Sequence, residues 1–349
     1  MRPDIRLIAV DLDGTLLNDR KEIPADFVHM VEALYPRGVR FVLASGRQYF
    51  NLAAMFESIA EKLFFFSENG GLVFDGAKNI FCRPLPDDIL PVLWRTGAAI
   101  PATTVLCGVK SAYISADCDP VGRENTAIYY KKRTFADDPL AAVTTAGDSV
   151  VKVAVFDPVS AADRCEPHFA PFRDRLKVTL AGQNWIDIMR ADVNKGIAIE
   201  FLQKRLGLSP DQCMAFGDYP NDLEMIRQVS WSYAMANGHP DLLAAARFRA
   251  PSNEDDGVMR VLREPFPDAL SGYTTPHCKT APLSGLPRFA PGRGFPAVLL
   301  TWRIYDTSIT FRYRTMPNDY FCFYIEQIIL YSVFHFPTAF FHDKFNTSP

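Results

Sequence analysis

Leu7-Ile8-Ala9-Val10-Asp11-Leu12-Asp13-Gly14-Thr15-Leu16-Leu17 decides the fold. Its opening apolar run has no polar interruption and reads as a strand buried on both faces, as in a parallel sheet. The run stops at two carboxylates. In open α/β sheets the chemistry collects just beyond the carboxyl ends of the strands, and Asp11 and Asp13 lie at such an end. If strand geometry continues, period two turns both side chains to one side, in reach of one phosphate and one hard cation. Gly14 lets the backbone come close, and Thr15 brings a hydroxyl. A calcium loop is the competing reading, because Asp11, Asp13, Thr15 and Glu22 fall on its ligand positions. It is set aside: Leu16 stands where that loop needs glycine, and a strand precedes it where a helix should.

Outward from this stretch, the chain of 349 residues carries a formal charge of −3 and 48% hydrophobic residues, as expected of a soluble globular protein with room for more than one domain. Without a basic excess, nucleic acid is not an expected partner. The seven cysteines form no C-x-x-C pair and no zinc-like spacing with histidine, which suits a reducing compartment. The apolar run after Arg2 and Arg6 breaks at Asp11, too early for a secretion signal, so the expected location is cytoplasmic.

Phe27, Val28, Val31 and Leu34 have helical spacing, begin after Pro24 and end before Gly38, as the crossover helix of a βαβ unit would. Residues 39–44 read as the next strand, and Ser45, Gly46 and Arg47 follow it. There Ser45 is either a helix cap or a phosphate contact, because a helix N-terminus offers free N–H groups and a positive dipole end. Residues 63–66 form a third apolar run, followed by a hairpin around Asp75 and Gly76. Past Pro84 and Pro86 the strand-loop-helix rhythm is lost. Helix-like 89–93 and 169–176 and strand-like 111–114 and 152–156 suggest a mixed α/β insertion there.

The rhythm returns at 185–189. Asn194 is a good N-cap and Gly207 a good stop for a helix whose first turn holds Lys195. A lysine there opposes the helix dipole, and a nearby phosphate or carboxylate would repair the mismatch. Strand-like 213–216 then ends in Gly217, Asp218, Tyr219, Pro220, Asn221 and Asp222. Two acids and an amide at a second strand end suit octahedral magnesium beside a phosphate. The alternative is a polar turn with Asp222 capping the next helix. Strands at 233–235 and 248–250 and a helix over 257–262 complete the pattern.

The four segments DLDGTLL from Asp11, ASGR ending at Arg47, NKG around Lys195 and GDYPND ending at Asp222 resemble the ordered motifs of the haloacid dehalogenase-like phosphatases, most closely the Cof-type branch. The resemblance spans about residues 5–262. It implies an α/β fold: a Rossmann-like parallel-sheet core in two parts, 1–84 and 185–264, with a mixed α/β cap inserted over 85–184. It also implies a Mg2+-dependent phosphatase acting on small phosphorylated metabolites through an aspartyl phosphate. Asp11 is then the nucleophile and Asp13 the acid and base. Asp11, the backbone carbonyl of Asp13 and Asp218 hold the metal, with Asp222 in the shell beside them. Ser45, Gly46, Arg47 and Lys195 bind the phosphoryl group, and Asn221 supports it. A phosphomutase of the same superfamily and a non-catalytic metabolite-binding regulator are the alternative functions.

Residues 265–349 match nothing in this family. The aromatic-dense stretches 320–324 and 328–341 read as an appended docking segment, a weak interfacial anchor or a stretch with no selected fold. The run 328–341 is too short to span a membrane, so no firm membrane association is expected.

Overall fold

The computed structural model describes residues 3–271 and, as backbone, two further strands, Val298–Ile304 and Thr307–Tyr313. The main sheet is built from β1 (Leu7–Asp11), β2 (Arg40–Ala44), β3 (Leu63–Ser67), β4 (Leu72–Asp75) and β5 (Lys78–Cys82). A second sheet follows from β6 (Thr103–Gly108), β7 (Ala112–Ser115), β8 (Arg133–Ala136), β9 (Val150–Phe156), β10 (Leu176–Leu180) and β11 (Trp185–Arg190). The chain then returns to the main sheet through β12 (Cys213–Gly217), β13 (Trp231–Met235) and β14 (Phe248–Ala250).

The main sheet has eight strands in the order β14-β13-β12-β1-β2-β3-β4-β5. Neighbours from β14 to β3 pair parallel, and the β3-β4-β5 edge is antiparallel. Both faces are covered, which is why the central parallel strands β1, β3 and β12 carry unbroken apolar runs. Alternation along β1 sends Ile8 and Val10 to one cluster and Leu7 and Ala9 to the other. Helix Phe27–Leu34 covers the first face with Phe27, Met30, Val31 and Leu34, the i, i+3, i+4, i+7 stripe of an amphipathic helix. Helix Lys195–Leu206 covers the second with Ala198, Ile199 and Leu202. Strand order reverses at β1, which lies between β12 and β2, so the carboxyl ends of these three strands open the crevice where ligands of α/β folds bind.

The second sheet has six strands in the order β10-β11-β9-β6-β7-β8 and is antiparallel except for the β7-β8 pair. Leu106, Val153, Val155, Ile186 and Ile188 pack on one face, while Val105, Cys107, Ala154, Phe156 and Trp185 pack on the other. Its last strand in chain order, β11, runs to Arg190, so the second sheet reaches past residue 184. Residues 185–189 are a strand as anticipated, yet they pair with β9 and β10 and not with the core. The helix expected over 169–176 also gives way: short helical turns end by Phe172, and Leu176 begins β10.

At the other boundary, Phe266, Ala269 and Leu270 pack on the main core cluster, so that unit continues past 264. The chain divides into compact units Met1–His277 and Cys278–Pro349. Within the second, Val298–Ile304 pairs antiparallel with Thr307–Tyr313. The aromatic stretches 320–324 and 328–341 lie outside the described residues. Among the described residues, no helix is long and apolar enough to cross a membrane.

Candidate active site

Asp11 ends β1 in register with Ala44 of β2, and odd-numbered positions turn it toward the face covered by helix Lys195–Leu206. That helix starts at the same edge. Its cap residue Asn194 accepts the Ile197 N–H through Oδ1 at 3.0 Å, which leaves Lys195 in the first turn. Gly70, at φ +90°, lets the loop after β3 run under this point: a Cβ there would lie 2.5 Å from the Asn194 carbonyl oxygen. Lys195 is fully buried, with Nζ 2.5 Å from Asp11 Oδ1 and 2.6 Å from Asp222 Oδ1. The mismatch of a lysine with its helix dipole is thus met by two carboxylates. Asp222 does not cap the following helix. Its Oδ2 accepts the N–H groups of Asp218 and Tyr219 at 3.2 and 3.3 Å, folding the loop after β12 back on itself.

Asp218 completes a group of three acids, with one carboxylate oxygen from each of Asp11, Asp218 and Asp222 lying within 4.8 Å of the others. Thr15 Oγ1 donates to Asp218 Oδ1 at 3.1 Å. A side chain at Gly14 would be strained, since its φ is +83° and a Cβ would stand 2.3 Å from Asp218 Oδ2. One lysine does not balance three carboxylates. Burial, and then repulsion from Asp222, raise the Asp11 carboxyl well above its ordinary range and push Asp218 up to about 6. Burial alone would lower the Lys195 ammonium, but Asp11 and Asp222 outweigh it and raise it.

Strand geometry stops at Asp11, so Asp13 does not follow it into this group. The Asp13 carboxylate, 41% exposed, is held from outside the crevice. Arg47 donates through Nε to Oδ2 at 3.0 Å and through Nη2 to Oδ1 at 2.7 Å, and Lys21 Nζ lies 2.9 Å from Oδ1. Burial would raise this carboxyl, yet the contacts from Arg47 and Lys21 hold it below its ordinary value.

Ser45 is not a helix cap: the next helix begins at Tyr49 behind Gln48, and the Ser45 hydroxyl accepts the Arg47 N–H at 3.2 Å. Asn69 packs on this turn. Its N–H donates to the Ser45 carbonyl at 3.1 Å, and its side-chain amide, which a Cβ at Gly46 would approach to 3.1 Å, accepts from Asn221 Nδ2 at 3.5 Å.

A family model described as haloacid dehalogenase-like hydrolase matches residues 8–262. The chain belongs to the haloacid dehalogenase-like hydrolases. It is an enzyme, a phosphoric monoester hydrolase of that family. It is 31% identical over 265 residues to the 5-amino-6-(5-phospho-D-ribitylamino)uracil phosphatase YbjI of Escherichia coli, covering 74% of this chain and 95% of that one. A solved structure from Streptococcus mutans UA159 superposes with TM-score 0.63 at 28% identity, over 74% of this chain and 98% of the other. A haloacid dehalogenase-like hydrolase from Bacteroides thetaiotaomicron, at 24% identity and TM-score 0.66, covers 75% and 100% and shares the fold.

In this haloacid dehalogenase-like hydrolase, Asp11, Lys195, Asp218 and Asp222 converge at one point, and Ser45, Gly46 and Asn221 meet through Asn69. Arg47 is engaged with Asp13. Three residues given no role from sequence brace the acidic loop. Asn237 Nδ2 donates to the Gly14 carbonyl at 2.8 Å, Asn253 Nδ2 donates to the Leu17 carbonyl at 3.0 Å, and Lys21 reaches Asp13. Asn237 follows a strand end, the one signal that pointed to it.

Proposed function

We propose that the enzyme is a Mg2+-dependent phosphatase of small phosphorylated metabolites, sugar phosphates or phosphorylated cofactors, working through an aspartyl phosphate on Asp11. The observation that carries this reading is the charge at the crevice: three carboxylates with oxygens within 4.8 Å of one another against the single ammonium of Lys195. Such a donor set, acidic and all oxygen, suits a hard divalent cation that keeps most of its waters. Asp11, Asp218 and the Asp13 carbonyl would hold Mg2+, with Asp222 beside them. Bound there, the ion screens the charge of an incoming phosphate.

The chain's own residues then divide the work. Asp13 takes up a proton on the Oδ2 that Arg47 releases as the incoming phosphate draws its fork away; Asp11 then attacks phosphorus as the bond to the leaving oxygen breaks, and Asp13 passes that proton to the oxygen, so the leaving group departs as an alcohol. Water next attacks the phosphorus, yields a proton to Asp13, and displaces the Asp11 carboxylate to release inorganic phosphate. Lys195, Ser45 and Gly46 grip the transferring group, and Asn221 supports it. A phosphate dianion competes with Asp13 for the planar fork of Arg47, which matches either anion.

The test is turnover of para-nitrophenyl phosphate by the purified chain with and without Mg2+, followed by a panel of phosphate esters. The first to try is 5-amino-6-(5-phospho-D-ribitylamino)uracil, the substrate named for the Escherichia coli relative. Mg2+-stimulated turnover that a chelator removes is expected. Chelator-resistant turnover would contradict the metal assignment, and no turnover of any ester would contradict the activity.

A further inference from the structure

Lys21 occupies a place that stability does not explain. Its φ of +62° puts a lysine in the left-handed region, where a side chain is disfavoured and where glycine or asparagine would sit more easily. The turn that imposes this conformation is closed on every side. The Lys21 N–H donates to the Asn18 carbonyl at 2.8 Å, and the Asn18 side chain accepts the Glu22 N–H at 2.9 Å and donates to Glu22 Oε2 at 2.8 Å. The Asp19 N–H donates to Glu254 Oε1 at 2.6 Å, which pins the turn to the segment before the closing helix.

So rigid a turn points the Lys21 ammonium at Asp13 Oδ1, 2.9 Å away, while its side chain stays 57% exposed. An exposed ion pair adds little to stability, so it does not account for the strained backbone. Strain of this kind persists where the surrounding structure enforces it, and it clusters at functional sites.

We propose that Lys21 is a positioning residue for the reaction: it fixes the Asp13 carboxylate in the orientation from which Asp13 serves the leaving oxygen. Arg47 also holds Asp13, but in the reaction its fork is shared with the phosphoryl group. Lys21 is the anchor that remains, and it holds Oδ1 alone, so the Oδ2 that Arg47 releases is free to carry the proton. This rests on the reading of Asp13 as the acid, and the experiment separates the two.

The full chain and its Lys21→Met, Lys21→Arg and Asp13→Asn variants are assayed with Mg2+ on para-nitrophenyl phosphate, whose leaving group needs no proton, and on phenyl phosphate, whose leaving group does. Lys21→Met is expected to lose kcat about tenfold on phenyl phosphate and less than about threefold on the nitrophenyl ester, with KM nearly unchanged. Lys21→Arg restores most of the loss, and the melting temperature stays put because the side chain is exposed. Asp13→Asn shows the same selectivity, more strongly. If Asp13→Asn is selective while Lys21→Met spares both esters, or slows both equally, the role of Lys21 is overturned and Asp13 stands. A Lys21→Met defect confined to KM marks a substrate contact and also overturns it. Equal losses on both esters in Asp13→Asn remove the acid assignment and Lys21 with it, and no turnover by the unaltered chain removes the proposed function as well.

Discussion

Asp218 and Asp11 hold their protons to higher pH in the folded chain than an unfolded chain does, and this gives the site a measurable pH signature. Between the ordinary value of 3.8 and about 6 for Asp218, the folded form binds more protons than the unfolded one. The metal-free fold therefore loses stability as pH rises through that window. A cation must displace those protons, so its affinity grows as they leave. Saturating Mg2+ is expected to raise the melting temperature several degrees more at pH 7.5 than at pH 5, by linkage to folding. An equal rise at both would contradict a cation held by these carboxylates. At this scale the sequence was legible where a residue sat badly in its local context. Lys195 opposes its helix dipole, and only a buried acid pair explains it. Lys21 carried no such signal, because a lysine in a polar turn reads as solvated and its φ is invisible in sequence. Period two likewise misplaced Asp13, since the strand it was extrapolated from ends at Asp11.

Among the elements, the core strands were readable because burial on both faces leaves unbroken apolar runs, as in β1 and β3. Of the second sheet, β7, β9 and β11 were readable, while β6, β8 and β10 were not. In β10 only Leu176 is buried, and Thr179 and Leu180 are exposed, so no alternation betrays a strand. The elements also meet where sequence offered no hint. Lys152 of β9 is buried between two acids, Glu68 of the loop after β3 at 2.7 Å and Asp187 of β11 at 3.1 Å. Burial alone would lower its ammonium, but Asp187 and Glu68 outweigh it and hold it well above the usual range. Through Lys152, Asp187 helps tie the second sheet to the loop that packs on Ser45. Lys152→Met leaves two buried carboxylates uncompensated and is expected to cost about 3 kcal/mol of stability. Chemical denaturation measures it, and a loss near zero would mean that the cluster is hydrated.

The family match ends at 262, and the packing of the first unit runs slightly beyond. Phe266, Ala269 and Leu270 lie on the core cluster, so a chain cut after Glu264 exposes the surface they cover. A chain ending at His277, the edge of the first compact unit, is expected to keep full turnover. The cut at Glu264 should cost about 2–4 kcal/mol, from apolar area alone. Melting curves and para-nitrophenyl phosphate assays of the two truncations test this. Equal stability of the two would remove the packing argument, and lost turnover in the longer one would give the second unit a part in the activity.

On the proposed mechanism the phosphoryl group is bound covalently to Asp11 during turnover. Rapid acid quench of the enzyme during turnover, followed by borohydride reduction and peptide mass spectrometry, reads this directly, because an aspartyl phosphate is reduced to homoserine at the residue that carried it. Homoserine is expected at position 11 in the unaltered chain, and neither homoserine nor turnover in Asp11→Asn, whose amide has the same shape but cannot attack phosphorus. Homoserine at any other aspartate, or turnover surviving in Asp11→Asn, would contradict it.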